Sequence, residues 1–150
     1  MRLWIRTHNL DAAIARYEHL AEAATDMQPA MEEVMLIMMG AIKATFLSGG
    51  RRGGGSWAAL TTEWLLRKER MGWDPRIGFA RHRLYEAFTI PGADHQRLRV
   101  GPHSVEIESD LPYAATQQAH RPFIKFTMRD RREMAQVCSE YLVAAWNRTP

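Results

Sequence analysis

The hydrophobic residues of this chain change their period twice, and that change limits the architectures open to it. Leu10, Ile14, Tyr17, Ala21 and Ala24 follow at steps of four and three, the spacing of one helical face. Asn9 or Asp11 is placed to cap that helix, and Asp26 with Pro29 marks a restart, since proline is tolerated in a first helical turn. From Met31 the positions Val34, Met35, Met38, Ile42, Thr45 and Phe46 keep helical spacing, while Leu36, Ile37 and Met39 fill the other side. This second helix is expected to be covered over most of its circumference, by the rest of the fold or by a neighbouring subunit. Its methionines suit an irregular core or subunit contact, or else an adaptable ligand groove; the first is the expected use.

A third helix is expected from Trp57, with Trp57, Leu60, Trp64 and Leu65 on one face and Glu63, Arg67, Lys68 and Arg70 on the other. Residues 71–75 (Met-Gly-Trp-Asp-Pro) break it, and a short helical stretch follows around Ala80 to Ala87. The period then shortens to two. Phe88 to Ile90, Gln96 to Val100 and Ser104 to Glu108 read as strands of a small antiparallel meander, the last two joined by Gly101-Pro102-His103. Helical spacing returns at Met134, Val137, Cys138, Tyr141, Leu142 and Ala145, predicting a helix from about Arg131 to Trp146. With a short opening strand at Leu3 to Arg6, the order predicts an α+β fold rather than a doubly wound sheet. N-terminal helices and a C-terminal helix pack on a small antiparallel sheet.

The chain of 150 residues, 46% hydrophobic and 25% charged, fits a single domain over 1–150. Its one cysteine, Cys138, excludes an intrachain disulfide and a multi-cysteine zinc site. No apolar run reaches the length of a signal-peptide core at the start or of a membrane span elsewhere; Val34 to Ile42 is the most apolar stretch. The chain is therefore expected to be made and folded in a cytosol, with no membrane partner.

The net charge of +3 is small, but it is unevenly placed. Residues 1–47 hold four basic and six acidic side chains, residues 48–99 ten and five, and residues 100–150 six and six. The middle third thus carries the whole excess, mostly as arginine, which suits bidentate contact with phosphate or carboxylate. It opens on Ser48-Gly49-Gly50-Arg51-Arg52-Gly53-Gly54-Gly55-Ser56, whose glycines predict a mobile loop with no packed conformation. Gly49 and Gly54 have phosphate-loop separation, but Gly55 stands where the lysine should and no strand leads in, so nucleotide binding is excluded there.

The six histidines fall in separate elements and form no metal-ligand pair. Cys138 lies in an apolar stripe, and Glu106 and Glu108 share one strand face rather than opposing each other. No enzymatic constellation, cofactor site or metal site is expected. The arginine clusters, including Arg76-Arg81-Arg83 and Arg97-Arg99, read singly as solvated faces and together as a surface able to track a phosphate backbone.

Several blocks then occur in a telling order. Trp57-x-x-Leu60 is followed by Lys68, then by Arg83-Leu84 with Ala87-Phe88-Thr89, then by Asp110-Leu111-Pro112-Tyr113-Ala114, and finally by Arg121-Pro122-Phe123-Ile124 before the terminal helix. This series, over about residues 46–145, resembles the phage virion-morphogenesis family, the tail-completion proteins of Mu-type and related long-tailed bacteriophages. The chain departs from the family pattern at His82, Ala87 and residues 117–119.

The resemblance implies a structural virion protein, not an enzyme, at the neck or head–tail junction. It implies a homo-oligomeric ring (a hexamer is the favoured size) that contacts connector and tail-terminator or tail-tube proteins and touches passing genomic DNA transiently and non-specifically. On this reading Trp57, Leu60, Lys68, Leu84, Tyr113, Ala114, Arg121, Pro122 and Phe123 form the family scaffold, and Arg51 and Arg52 belong to a docking or channel-lining loop. Physically, Tyr113 is expected to seat its ring under the sheet. Pro122 is expected to turn Phe123 inward and leave the Arg121 guanidinium outside. The alternative expectation is a small basic DNA- or RNA-binding regulator.

Overall fold

The computed structural model describes residues 10–52 and 54–148; Leu3 to Arg6 and Asn9, named above, lie outside them. The elements run α1 (Leu10–Thr25), α2 (Gln28–Leu47), α3 (Thr62–Arg70), α4 (Arg83–Thr89), β1 (Gln96–Val100), β2 (Val105–Ser109), α5 (Ala114–His120) and α6 (Met128–Asn147). The fold is α+β: among the described residues six helices accompany one two-stranded antiparallel sheet, on which α2 and α4 pack.

Pro29 sits in the first turn of α2, where its missing N–H costs nothing. The corner before it is held from three sides. Met27 N donates to the Pro102 carbonyl at 3.1 Å, the Tyr141 hydroxyl donates to the Asp26 carbonyl at 3.0 Å, and His103 Nε2 lies 2.8 Å from the Ala24 carbonyl. The hairpin tip and α6 therefore fix the angle between α1 and α2. Around this corner Ala30, Met31 and Val34 form one apolar cluster with Met134, Val137, Cys138 and Tyr141 of α6 and with Val100 and Val105 of the hairpin.

A second cluster surrounds Phe46. Its ring meets those of Trp57, Phe79, Tyr85 and Phe123 at centroid distances of 5.1 to 5.8 Å, mostly edge to face. Edge-to-face packing places ring hydrogens on the negative π-face of the neighbour, a preference worth roughly 0.5–1.5 kcal/mol per pair beyond area burial. Helix α2 is covered on most sides, but a stripe formed by Glu32, Glu33, Leu36, Gly40, Lys43 and Leu47 is open along its length, so Leu36, expected to be covered, is exposed.

Four expectations are corrected. Trp57 does not start a helix: it lies buried in an extended segment, and α3 begins at Thr62, after Thr61 caps it by accepting from Trp64 N at 3.3 Å. Phe88 and Thr89 belong to α4 rather than to a strand, because Leu84, Ala87 and Phe88 share a buried helical side. The meander is consequently a two-stranded hairpin, Gln96 pairing with Ser109 through Val100 with Val105. A further helix, α5, follows it. The terminal helix starts a turn earlier than predicted, at a capping box in which Thr127 and Asp130 exchange hydrogen bonds.

The fourth correction concerns the glycine-rich loop, whose first half is packed. Gly50 is buried against the Trp57 indole at φ +80°, a conformation that glycine adopts without strain. Arg52 reaches Asp130 of α6 with both terminal guanidinium nitrogens, Nη1 at 2.7 Å from Oδ2 and Nη2 on Oδ1. Lys125 Nζ donates to the Gly54 carbonyl at 2.8 Å.

Candidate functional site

The scaffold residues named from the sequence lie on five segments, and the structure gathers them at one place. Trp57 is the hinge of the arrangement. Its backbone N–H donates to Gly49 O at 2.9 Å, and its indole Nε1 donates to Pro122 O at 3.1 Å. Behind that contact Phe123 is 2% exposed and closes the aromatic cluster with Ala114. The backbone N–H groups of Phe123 and Ile124 both donate to Gln118 Oε1 at 3.0 Å. Gln118 was visible in the sequence only as a departure from the family pattern; a side-chain acceptor facing two free N–H groups just past a helix end is its structural use.

In front of this floor lies a cleft of about 610 Å³. Its walls come from α3 (Trp64, Lys68), the segment between α3 and α4 (Trp73, Arg81), the first residue of α4 (Arg83), and the cap and first turn of α5 (Tyr113, Gln117). Leu60, Leu84 and Arg121 also face it. Five scaffold positions thus line the cleft: Leu60, Lys68, Leu84, Tyr113 and Arg121. Trp57, Ala114, Pro122 and Phe123 hold it from behind.

Lys68 is the one buried residue of α3, 4% exposed. Its ammonium donates to the carbonyls of Asp74 at 2.9 Å and Arg76 at 2.6 Å, which pins the turn after the helix. Burial pushes its pKa below the usual lysine value; Asp74 opposes that shift and the Arg121 charge adds to it. Asp74 is itself held down to about 2, first by the Arg76 guanidinium (2.6 Å from Nη2 to Oδ2), with burial opposing and the Arg76 N–H helping. These bonds tie the turn down at the base of the cleft. Above it Arg81 stacks its guanidinium 4.9 Å from the centre of the Trp73 ring.

Two side chains sit otherwise than expected. The Tyr113 ring is 43% exposed at the cleft rim instead of lying under the sheet. The Arg121 guanidinium is turned inward: Nη2 makes a long 3.4 Å contact with Ala58 O, and Nε is buried with no hydrogen-bond partner. The cleft is thus lined by Lys68, Arg81, Arg83 and Arg121 and by no carboxylate. It suits a group that combines apolar surface with negative charge.

The loop arginines part company. Arg51 is exposed, whereas Arg52 is locked to Asp130, whose carboxyl falls to about 2 chiefly because of that guanidinium. Among the described residues no cluster of three or more His, Cys, Asp or Glu side chains is placed to hold a metal ion, and no helix is long and apolar enough to cross a membrane. Comparison with family models, with curated proteins and with solved structures returns no match to this chain.

Proposed function

We propose that this protein is a structural, non-enzymatic virion protein of a tailed phage. It acts in tail completion and head–tail joining as a subunit of a ring around the DNA channel at the neck. The observation that supports the reading is the hydrogen bond from the Trp57 indole to the Pro122 carbonyl, which joins the first and last family-like blocks across 65 residues. Blocks that resemble the family in order and spacing also pack against one another around a common cleft, as parts of one scaffold would. The ring would meet connector and tail-terminator or tail-tube proteins, and its small positive charge suits DNA that must slide past without being held.

Deleting the gene from the phage or prophage that carries it should leave filled heads and finished tails that do not join, and adding back the protein should restore joining. Fully infectious particles formed without the protein would overturn the reading. Titration of duplex DNA against salt tests the regulatory alternative, for which binding should be tight at moderate salt. Each neutralised phosphate would then lower log K by about 0.9 per decade of salt. Arg51→Ser, at an exposed position, probes the loop without disturbing Arg52 or Gly50.

A further inference from the structure

Among the described residues, two exposed surfaces have complementary chemistry. The first is the outer face of α1. Asp11, Glu18 and Glu22 are exposed there beside Ile14 at 46% and Tyr17 at 64% exposure. These five positions fall at helical steps that place them together on one side. The single cation of α1, Arg16, is half-buried, with its guanidinium 5.9 Å from the centre of the Trp146 ring. Tyr17 packs its ring edge-on against Trp146, 5.1 Å between centroids, and keeps its outer side open. The open face therefore presents three carboxylates, Ile14, the outer side of Tyr17 and no Lys or Arg.

The second surface is the cleft with its α3 wall. Helix α3 buries a lysine and exposes Trp64, Leu65 and Leu66 at 47, 44 and 52%. That leaves an apolar strip open on α3, of which Trp64 borders the cleft. Arg81 and Arg83 are exposed at the cleft, and no carboxylate lines it.

These surfaces belong to different elements: α1 packs mainly on α6, while the cleft lies between α3, α5 and the turn before α4. Two complementary patches at separate places on one molecule make a head-to-tail contact, which closes into a ring or continues as a filament. We infer that the acidic face of α1 in one copy docks in the cationic cleft of the next copy. Ile14 and the outer side of Tyr17 lie against the Trp64 wall, and Glu18 and Glu22 meet Arg81 and Arg83. This contact is the one by which the ring proposed above closes, and it rests on that reading. The charge sums of the chain agree with this assignment, since the acidic excess lies in residues 1–47 and the basic excess in residues 48–99.

The test uses two charge-reversed full-length variants, Arg81→Glu/Arg83→Glu and Glu18→Arg/Glu22→Arg, each changed only at exposed positions. Circular dichroism and thermal melting check that both fold. Native mass spectrometry and sedimentation read assembly at low and moderate salt. The wild type should assemble. Each variant alone should associate at least tenfold more weakly, because like charges would face each other. An equimolar mixture should recover assembly as an alternating ring, since every α1 face then meets a cleft of opposite charge.

Assembly unchanged by either reversal would overturn the contact and leave the ring reading standing. Loss in both variants without recovery in the mixture would overturn the pairing of these two faces. A wild type that stays monomeric in solution and occurs singly in particles would overturn the ring reading as well.

Discussion

A methyl group at position 50 would fall inside the Trp57 indole, and the backbone there has φ +80°. Gly50→Ala should therefore combine overpacking with left-handed strain and cost about 2–4 kcal/mol, read as a lower urea midpoint with an unchanged slope. Lys68 shows the same dependence on surroundings with opposite chemistry. Lys68→Met keeps most of the buried stem but leaves the Asp74 and Arg76 carbonyls without their donor, and a loss of about 1–3 kcal/mol is expected in the same measurement. Neither role is legible in the sequence, where Gly50 is one of five glycines in a loop and Lys68 one charge of a polar helix face.

At the scale of elements, periodicity located most of the helices, and local chemistry marked where several of them begin. Pro29 stands at the start of α2, Thr127 at the start of α6, and Gly101 to Ser104 closes the hairpin with a 2.9 Å backbone hydrogen bond. Spacing failed where it identified apolar residues without identifying their cover. Trp57 and Trp64 are seven residues apart, two helical turns, and read as one face, yet Trp57 lies buried in an extended segment and Trp64 lies open on α3. Trp57→Ala should cost about 3–5 kcal/mol, whereas Trp64→Ala should change stability by less than about 1 kcal/mol; parallel denaturation curves separate the two. Phe88-Thr89-Ile90 is β-prone as a tripeptide, but in the fold Ala87 and Phe88 are buried from a helix against α2 and β2, and that packing outweighs local propensity.

For the whole molecule, a two-point ion pair ties Arg52 in the loop to Asp130 in the capping box of α6, 78 residues away. Asp130→Ala removes the reciprocal half of the capping box, leaving the Thr127 cap, together with the partner of a half-buried guanidinium, and should lower stability by about 2–4 kcal/mol. Asp130 and Asp74 each have a folded pKa of about 2, below their ordinary value of 3.8. The unfolded chain binds protons first on acidification, so the stability these groups contribute is fully present above about pH 4 and is lost as pH falls towards about 2. The melting temperature should drop through that window. In Asp130→Ala it should start lower and drop less, since the Asp130 contribution is already gone.

The amino-acid sequence by itself determined the fold class, the hairpin, the two long helices that frame it and the basic middle third. Those properties follow from hydrophobic period, turn residues and charge order within short windows of chain. The tertiary structure alone decided that Trp57 leaves α3, that Gly50 and Arg52 anchor a loop that composition describes as free, and that Lys68, Arg81, Arg83 and Arg121 meet in one cleft. Each of those outcomes depends on groups brought together from distant parts of the chain: Arg52 and Asp130 are 78 residues apart, Trp57 and Pro122 are 65 apart. Packing at such range is set by which surfaces fit once the helices have formed, and no local window of sequence contains it.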